Sequence, residues 1–275
     1  MRIGALLLLG LAAIGAELPP PPATPKKPVT DDYSGVKVTD DYRWLETFDD
    51  PAVKAWSTAE NQHSRAYLDG LSRRPAILER LKELYGEASE RYGALTFRGN
   101  MLFAIKRQPP KEQPLLVALA SADDAKSEHA VVDPNTLDAK GTTSIDFYAP
   151  SLDGKYVAVS LSKGGSEDGT VHIFETATGH ELPDTIPRVN GGTAGGSVAW
   201  NGDASGFYYT RYPHAGERPP EDIDFYQQVY FHRLGAPVSS DQYSFGKDLP
   251  RIAEIALATS DDGRFVLATV ADGDG

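Results

Sequence analysis

A serine nucleophile on a strand-to-helix turn needs the pattern Gly-x-Ser-x-Gly, because small neighbours let a strained serine stand clear of the backbone. The 275-residue sequence holds two near matches. Gly195-Gly196-Ser197 places Ala199 where the second glycine is required and runs into a strand rather than a helix. Gly164-Gly165-Ser166 places Asp168 there, in a hairpin context. Both read as ordinary loop and strand residues. The six histidines, His63, His129, His172, His180, His214 and His232, never fall at a metal-binding spacing such as HExxH. His63 suits a helix face, His172 and His232 suit strands, and structural or surface roles account for all six. The acidic pairs Asp31-Asp32, Asp40-Asp41 and Asp261-Asp262 are sequence neighbours, which point to opposite faces of an extended chain. They suit turns and caps rather than acid–base catalysis. Gly191 to Gly196 lacks the lysine and the following helix of a phosphate-binding loop. Tyr208, Tyr209, Tyr226, Tyr230 and Phe231 are aromatic enough for a ligand platform, but strand aromatics are standard core material. The sequence therefore offers no catalytic, cofactor-binding or metal-ligating residue, and implies no cofactor.

Composition narrows the partners. Lys plus Arg is 27 and Asp plus Glu is 39, a formal charge of −12, which disfavours nucleic acid and anionic membrane surfaces. There is no cysteine, which removes disulfide frameworks, thiol nucleophiles and cysteine-based metal sites. A hydrophobic share of 40% is enough to build a core.

The elements that would position any site start after a leader. Arg2, the uncharged apolar run Ile3 to Ile14, and the small residues Ala13, Gly15 and Ala16 read as a secretory signal peptide over 1–16, which predicts a periplasmic or secreted protein. No other stretch approaches membrane-spanning length. A proline-rich linker occupies 17–30. Asp50 and Pro51 then open a helix in which Val53, Trp56, Ala59, His63 and Tyr67 recur on one side, and Gly70 ends it. A second helix from Pro75 places Ile77, Leu78, Leu81, Leu84 and Tyr85 on its buried face, with Gly86 at C′. Both helices need a partner for their apolar sides.

After about Leu95 helical periodicity gives way to short β-runs: 101–107, 115–119, 144–149, 156–162, 171–175, 198–200, 207–211, 229–233 and 265–270. Such runs suit a sandwich, a barrel or a propeller. A degenerate repeat selects the propeller. Ser151-Leu152-Asp153-Gly154, Asn201-Gly202-Asp203-Ala204 and Ser260-Asp261-Asp262-Gly263 each lead into an aromatic-led strand. Their aspartates lie about 50 to 60 residues apart, near one four-stranded blade plus its loops. Each turn is expected to join the first and second strands of a blade.

Against this order of helices and blades, the local motifs resemble the prolyl oligopeptidase family. Asp41-Tyr42-Arg43-Trp44-Leu45-Glu46 with Asp49-Asp50-Pro51 is similar to its opening motif, and Gly141 to Gly154 to its second-blade opening. Leu182-Pro183-Asp184, Ser197-Val198-Ala199-Trp200, Gly206-Phe207-Tyr208-Tyr209-Thr210 and Gln228 to Gly235 follow in the family's order. The resemblance covers Asp31 to Gly275. It implies a mainly β fold: an incomplete seven-bladed β-propeller, about three blades plus the start of a fourth over 91–275, preceded by an N-terminal helical segment of the peptidase side over 31–90. It implies a serine oligopeptidase that hydrolyses short peptides after proline or basic residues. In that arrangement the propeller gates access and an α/β-hydrolase domain beyond Gly275 carries the triad. The alternative is a stand-alone propeller that binds or scaffolds without catalysis. Many relatives carry an aromatic just before the Ser-x-Ala-Trp strand; here that place is the glycine-rich Gly191 to Gly196, so no substrate-binding residue is carried over. The polypeptide alone is expected to be inactive, poorly stable and prone to associate, through apolar faces on strands such as 156–162 and 265–270.

Overall fold

The computed structural model describes residues 20–86, 89–191 and 195–273. The signal peptide expected over 1–16 lies outside them. The chain falls into two compact units, one ending at Tyr85 and one beginning at Gly86.

The first unit holds the hairpin β1 (Val29–Tyr33) and β2 (Val36–Asp40), then helices α1 (Pro51–Asp69) and α2 (Arg74–Gly86). Asp50 caps α1 by accepting from Ala52 N at 2.7 Å, as its position before Pro51 predicts. Trp44 and Trp56 meet edge to face with centroids 6.5 Å apart. Trp44 Nε1 donates to Pro25 O at 3.0 Å and Trp56 Nε1 to Thr24 Oγ1 at 2.9 Å, which ties the proline-rich stretch to this pair. On α1 the expected stripe is graded: Val53 is buried, Trp56, Ala59 and His63 are half-buried, and Tyr67 is exposed. The expected buried face of α2 is corrected. Ile77, Leu78, Leu81, Leu84 and Tyr85 are 40–74% exposed among the described residues. Gly86 is the last helical residue rather than the one after it.

The second unit is built of antiparallel meanders. The first sheet is β3 (Arg91–Arg98), β4 (Met101–Arg107), β5 (Leu115–Leu119) and β6 (His129–Val132). After the short helix α3 (Pro134–Leu137), the second is β7 (Thr143–Pro150), β8 (Tyr156–Lys163), β9 (Gly169–Glu175) and β10 (Glu181–Asn190). The third is β11 (Val198–Trp200), β12 (Gly206–Arg211), β13 (Gln228–Arg233) and β14 (Gln242–Phe245). A two-stranded sheet, β15 (Ala253–Thr259) and β16 (Val266–Asp272), follows. Three blades and the start of a fourth are thus present among the described residues.

Packing follows the two-residue period of a strand. Val157 and Val159 of β8 face Phe103, Leu116 and Ala118 of the first blade. Ala158 between them belongs to the core that the second blade shares with Trp200, Phe207 and Tyr209 of the third. The strand 156–162 is therefore covered on both sides, which corrects the expectation that it carries an exposed face. The other strand named there does: Phe265, Leu267 and Val270 are 40–58% exposed.

The three repeat copies make one hydrogen-bond pattern. Tyr156 N donates to Ser151 Oγ, Gly206 N to Asn201 Oδ1 and Phe265 N to Ser260 Oγ, each at 3.1 Å. Lys155 N, Ser205 N and Arg264 N donate to the aspartates of the same turns at 3.0–3.1 Å. In each copy the fourth residue, Gly154, Ala204 or Gly263, has positive φ. The first blade replaces this turn with the tight Gly99-Asn100 hairpin, both residues left-handed, which is why it shows no copy of the repeat.

Candidate functional site: the loop face of the second and third blades

Because every blade is an antiparallel meander, its even connections lie at one end. The β8–β9 turn, the β10–β11 connector, the β12–β13 loop and the β14–β15 connector share that end. Among the described residues their only regular structure is one 3-10 turn, Pro220–Asp222, so side chains fix them. Arg188, at the end of β10, donates from Nη2 to Ile223 O at 2.8 Å and to Asp224 Oδ1 at 2.9 Å, binding the second blade to the β12–β13 loop. Gln227, buried, donates to Gly195 O at 2.9 Å and accepts from Ile255 N at 2.9 Å, which links the β10–β11 connector to strand β15. Arg251 Nε donates to Asp222 Oδ1 at 2.7 Å, and its guanidinium lies 3.4 Å from the centre of the Phe225 ring. Three non-glycine residues with left-handed backbone, Glu167, Arg188 and Tyr226, fall on this face. Such strain persists where surrounding contacts over-determine it, and it concentrates at functional positions.

The β12–β13 loop encloses one charge pair. Arg211 donates from Nη1 to Glu217 Oε2 at 2.6 Å and from Nη2 to Glu217 Oε1 at 3.2 Å, and His214 N reaches the same carboxylate at 2.8 Å. The Arg211 hydrogen bond holds the Glu217 carboxyl below the usual carboxylate range. Burial, and then the Arg211 charge, lowers the His214 pKa, and its Nε2 is buried with no hydrogen-bond partner among the described residues. Both shifts are downward, so the stability they contribute is full above the unfolded values, about 6.5 for His and 4.3 for Glu. It is lost as pH falls through the folded values. Amide-exchange protection of His214 and Glu217 is therefore expected to drop between about pH 7 and pH 3, relative to the strand amides of β12. Equal protection across that range would contradict it.

Beside this pair is a cleft of about 460 Å3, lined by Arg211, Arg218, Tyr226, Gln228, Tyr230 and Lys247 among others. The Arg218 guanidinium lies 3.6 Å from the Tyr226 ring centre and Arg211 lies 4.3 Å from that of Tyr230. Tyr226 was expected in blade packing with the other aromatics, but it sits in the loop and supports a cation. Tyr208, Tyr209, Tyr230 and Phe231 do lie on strands, and their rings pair across them.

At the opposite end of the blades a buried polar chain joins the second and third. His232 Nε2 lies 2.9 Å from Asp184 Oδ1 and Nδ1 lies 2.7 Å from Asp241 Oδ1, while the Tyr209 hydroxyl donates to Asp241 Oδ2 at 2.7 Å. Burial, and then the bond to Asp241, raises the Tyr209 pKa far above the ordinary range, so it stays a donor. His232 is 0% exposed and its two ring nitrogens bond Asp184 of the second blade and Asp241 beside β14 of the third, so this chain cross-links the blades. The quoted motifs contain Asp184 and His232, yet nothing in their spacing of 48 positions reveals the pairing.

The near matches to a nucleophile elbow are structural. Ser197 Oγ accepts from Leu257 N at 2.8 Å, joining the third blade to β15. Ser166 lies in the β8–β9 turn, where its Oγ accepts from Asp168 N at 3.3 Å. His129 and His172 bond Thr176 O and Glu181 at 2.9 and 2.7 Å, and His180 is exposed. Asp32 and Asp40 accept turn amides, Asp31 and Asp41 pair with Arg43 and Lys26, and Asp262 holds its turn. Among the described residues no group of three His, Asp or Glu could hold a metal ion. Residues 192–194 of the glycine-rich connector lie outside the described residues.

Four-stranded antiparallel blades led in by helices define a β-propeller protein of the kind the motifs imply. Residues 21–274 match the family model described as the N-terminal β-propeller domain of prolyl oligopeptidase, and the chain belongs to that family. A prolyl endopeptidase of Elizabethkingia meningoseptica is 29% identical over 256 residues, covering 91% of this chain and 34% of the relative. Prolyl oligopeptidase A of Galerina marginata is 28% identical over 260 residues, covering 84% and 34%. A chain from a structural study of two prolyl endopeptidases matches with a TM-score of 0.79 at 28% identity, over 92% of this chain and 36% of its own. Prolyl oligopeptidase B from Galerina marginata, bound to a 25mer macrocyclization substrate, matches with a TM-score of 0.73 at 21% identity, over 91% and 37%, which attests the fold alone. The chain spans about a third of the length of the curated relatives it matches.

Proposed function

We propose that this chain is the propeller part of a serine oligopeptidase that hydrolyses short peptides after proline. The observation that carries the reading is the family match over 21–274, with curated relatives named prolyl endopeptidases. The geometry supports a gating part. Tightly stacked blades form a rigid wall, and loops pinned by Arg188, Gln227 and Arg251 form one face of it. The nucleophile, base and orienting acid are proposed to lie in an α/β-hydrolase domain encoded beyond Gly275, since a triad acts as a unit. A size-selectivity assay tests the gate: the product of the whole gene is expected to cleave a proline-containing octapeptide and to leave the same sequence intact when it lies in a folded protein. Equal cleavage of both would refute gating.

Export to the periplasm or beyond is part of the proposal, supported by the order of Arg2, the apolar run Ile3 to Ile14 and the small residues to Ala16. N-terminal sequencing from the native host is expected to begin after Gly15 or Ala16; an intact Met1 on soluble cytoplasmic protein would refute it.

A further inference from the structure

We propose that the cleft at the ends of β12, β13 and β14 binds a peptide carboxylate. The choice of a peptide as its bearer rests on the function proposed above; the anion site rests on the cleft itself. Three cations and one carboxylate, that of Glu217, line it, in a chain whose net charge is −12. Arg211 is already engaged by Glu217. Arg218 and Lys247 meet no carboxylate among the described residues; each instead lies over a ring, Arg218 3.6 Å from the centre of Tyr226 and Lys247 4.1 Å from that of Tyr243. A cation held over an aromatic face is positioned there while its N–H groups remain free to donate. The support is built rather than incidental. Tyr226 reaches its place through a left-handed backbone, φ 56°, fixed by its N–H donating to Arg251 O at 2.9 Å. Gln228 adds a third donor: its Oε1 accepts from the Tyr230 hydroxyl at 3.1 Å, which leaves its amide NH2 for a ligand.

Two free cations and an amide, walled by tyrosine rings, match one planar, two-oxygen acceptor on a short apolar or peptide stem. The volume, about 460 Å3, accommodates one or two residues. A polyanion is the poorer fit, because the surrounding field of the chain is negative. The carboxylate has two sources, an acidic side chain or a peptide C-terminus, and both present the same group.

Equilibrium anisotropy with dye-labelled tetrapeptides tests the site on the product of the whole gene, without needing turnover. Dye-Ala-Ala-Glu-Ala-amide carries the side-chain carboxylate, dye-Ala-Ala-Gln-Ala-acid the terminal one, and dye-Ala-Ala-Gln-Ala-amide neither. At least one of the first two is expected to bind about tenfold tighter than the third, with the advantage shrinking as salt rises. Which of the two wins identifies the source. Arg218→Gln and Lys247→Gln are each expected to reduce that advantage several-fold, while Arg233→Gln, exposed at the opposite end of β13, leaves it unchanged. Equal binding of all three peptides, or an advantage untouched by both cleft variants, would overturn the proposal. Absent peptidase activity with the advantage intact would count against the proposed function and leave the anion site standing.

Discussion

His232→Ala is expected to destabilise the propeller by about 2–6 kcal/mol, since two buried carboxyl groups each lose a hydrogen-bond partner at about 1–3 kcal/mol apiece. His232 is fully buried, and its two ring nitrogens face Asp184 and Asp241 at 2.9 and 2.7 Å. Asp184 also accepts from Gly235 N at 2.5 Å, so its carboxylate cannot swing out to water when the ring is lost. Deleting the imidazole leaves each carboxyl group short of one partner beside a cavity, with only Gly235 N and the Tyr209 hydroxyl still donating to Asp184 and Asp241. The loss approaches the whole net stability of a small domain, about 5–15 kcal/mol. The double variant Asp184→Asn with His232→Gln, which leaves one buried carboxylate in place of two, is expected to recover part of it. Chemical unfolding at neutral pH measures both. A His232→Ala variant within 1 kcal/mol of the parent would show that the chain of polar groups does not clamp the second blade to the third.

Gly99→Ala is expected to be the costliest glycine-to-alanine change among the described residues. A Cβ at Gly99 would stand 2.0 Å from Asp153 O, 2.2 Å from its carbonyl carbon and 2.5 Å from Gly154 N. All three are backbone atoms of the neighbouring blade's turn, so relief requires the first and second blades to part. Overpacking costs about 1–3 kcal/mol, and the left-handed backbone at φ 56° adds about 1–2 kcal/mol. Gly164→Ala separates the two effects. It has φ 65° and nothing within 4 Å of the added carbon, so only the backbone cost applies. Thermal unfolding is expected to place Gly99→Ala clearly below Gly164→Ala; equal midpoints would mean that the blade turns do not touch as described.

The parts of this fold that can be read from sequence are those whose burial imposes a pattern. The bounds of β4, β5 and β11 coincide with apolar runs because those strands lie in the blade cores. The outer strands escape notice for the opposite reason. β10 carries Pro183, Asp184 and Pro187, and all four residues of β14 are exposed. At the inner edge, β3 is interrupted by an irregularity between Gly93 and Thr96, and β15 is alanine-rich. The Asp-Gly turns are legible because each closes the same local hydrogen bonds. The cleft and the Asp184–His232–Asp241 chain are not, since they depend on how blades stack, and stacking brings together residues separated by tens of positions. Tyr226 shows the limit most clearly: its residue type suggests a strand core, and only the loop's backbone makes it a seat for Arg218.

In the function proposed above, this propeller is part of a serine peptidase whose reacting groups lie elsewhere. Hydrolysis of a proline-containing chromogenic peptide tests it, measured for the 275-residue polypeptide and for the product of the whole gene. No turnover is expected of the polypeptide, whereas the whole gene product is expected to show turnover that a serine-directed inhibitor abolishes. Inhibitor-sensitive turnover by the polypeptide alone, or none by the whole product, would contradict it.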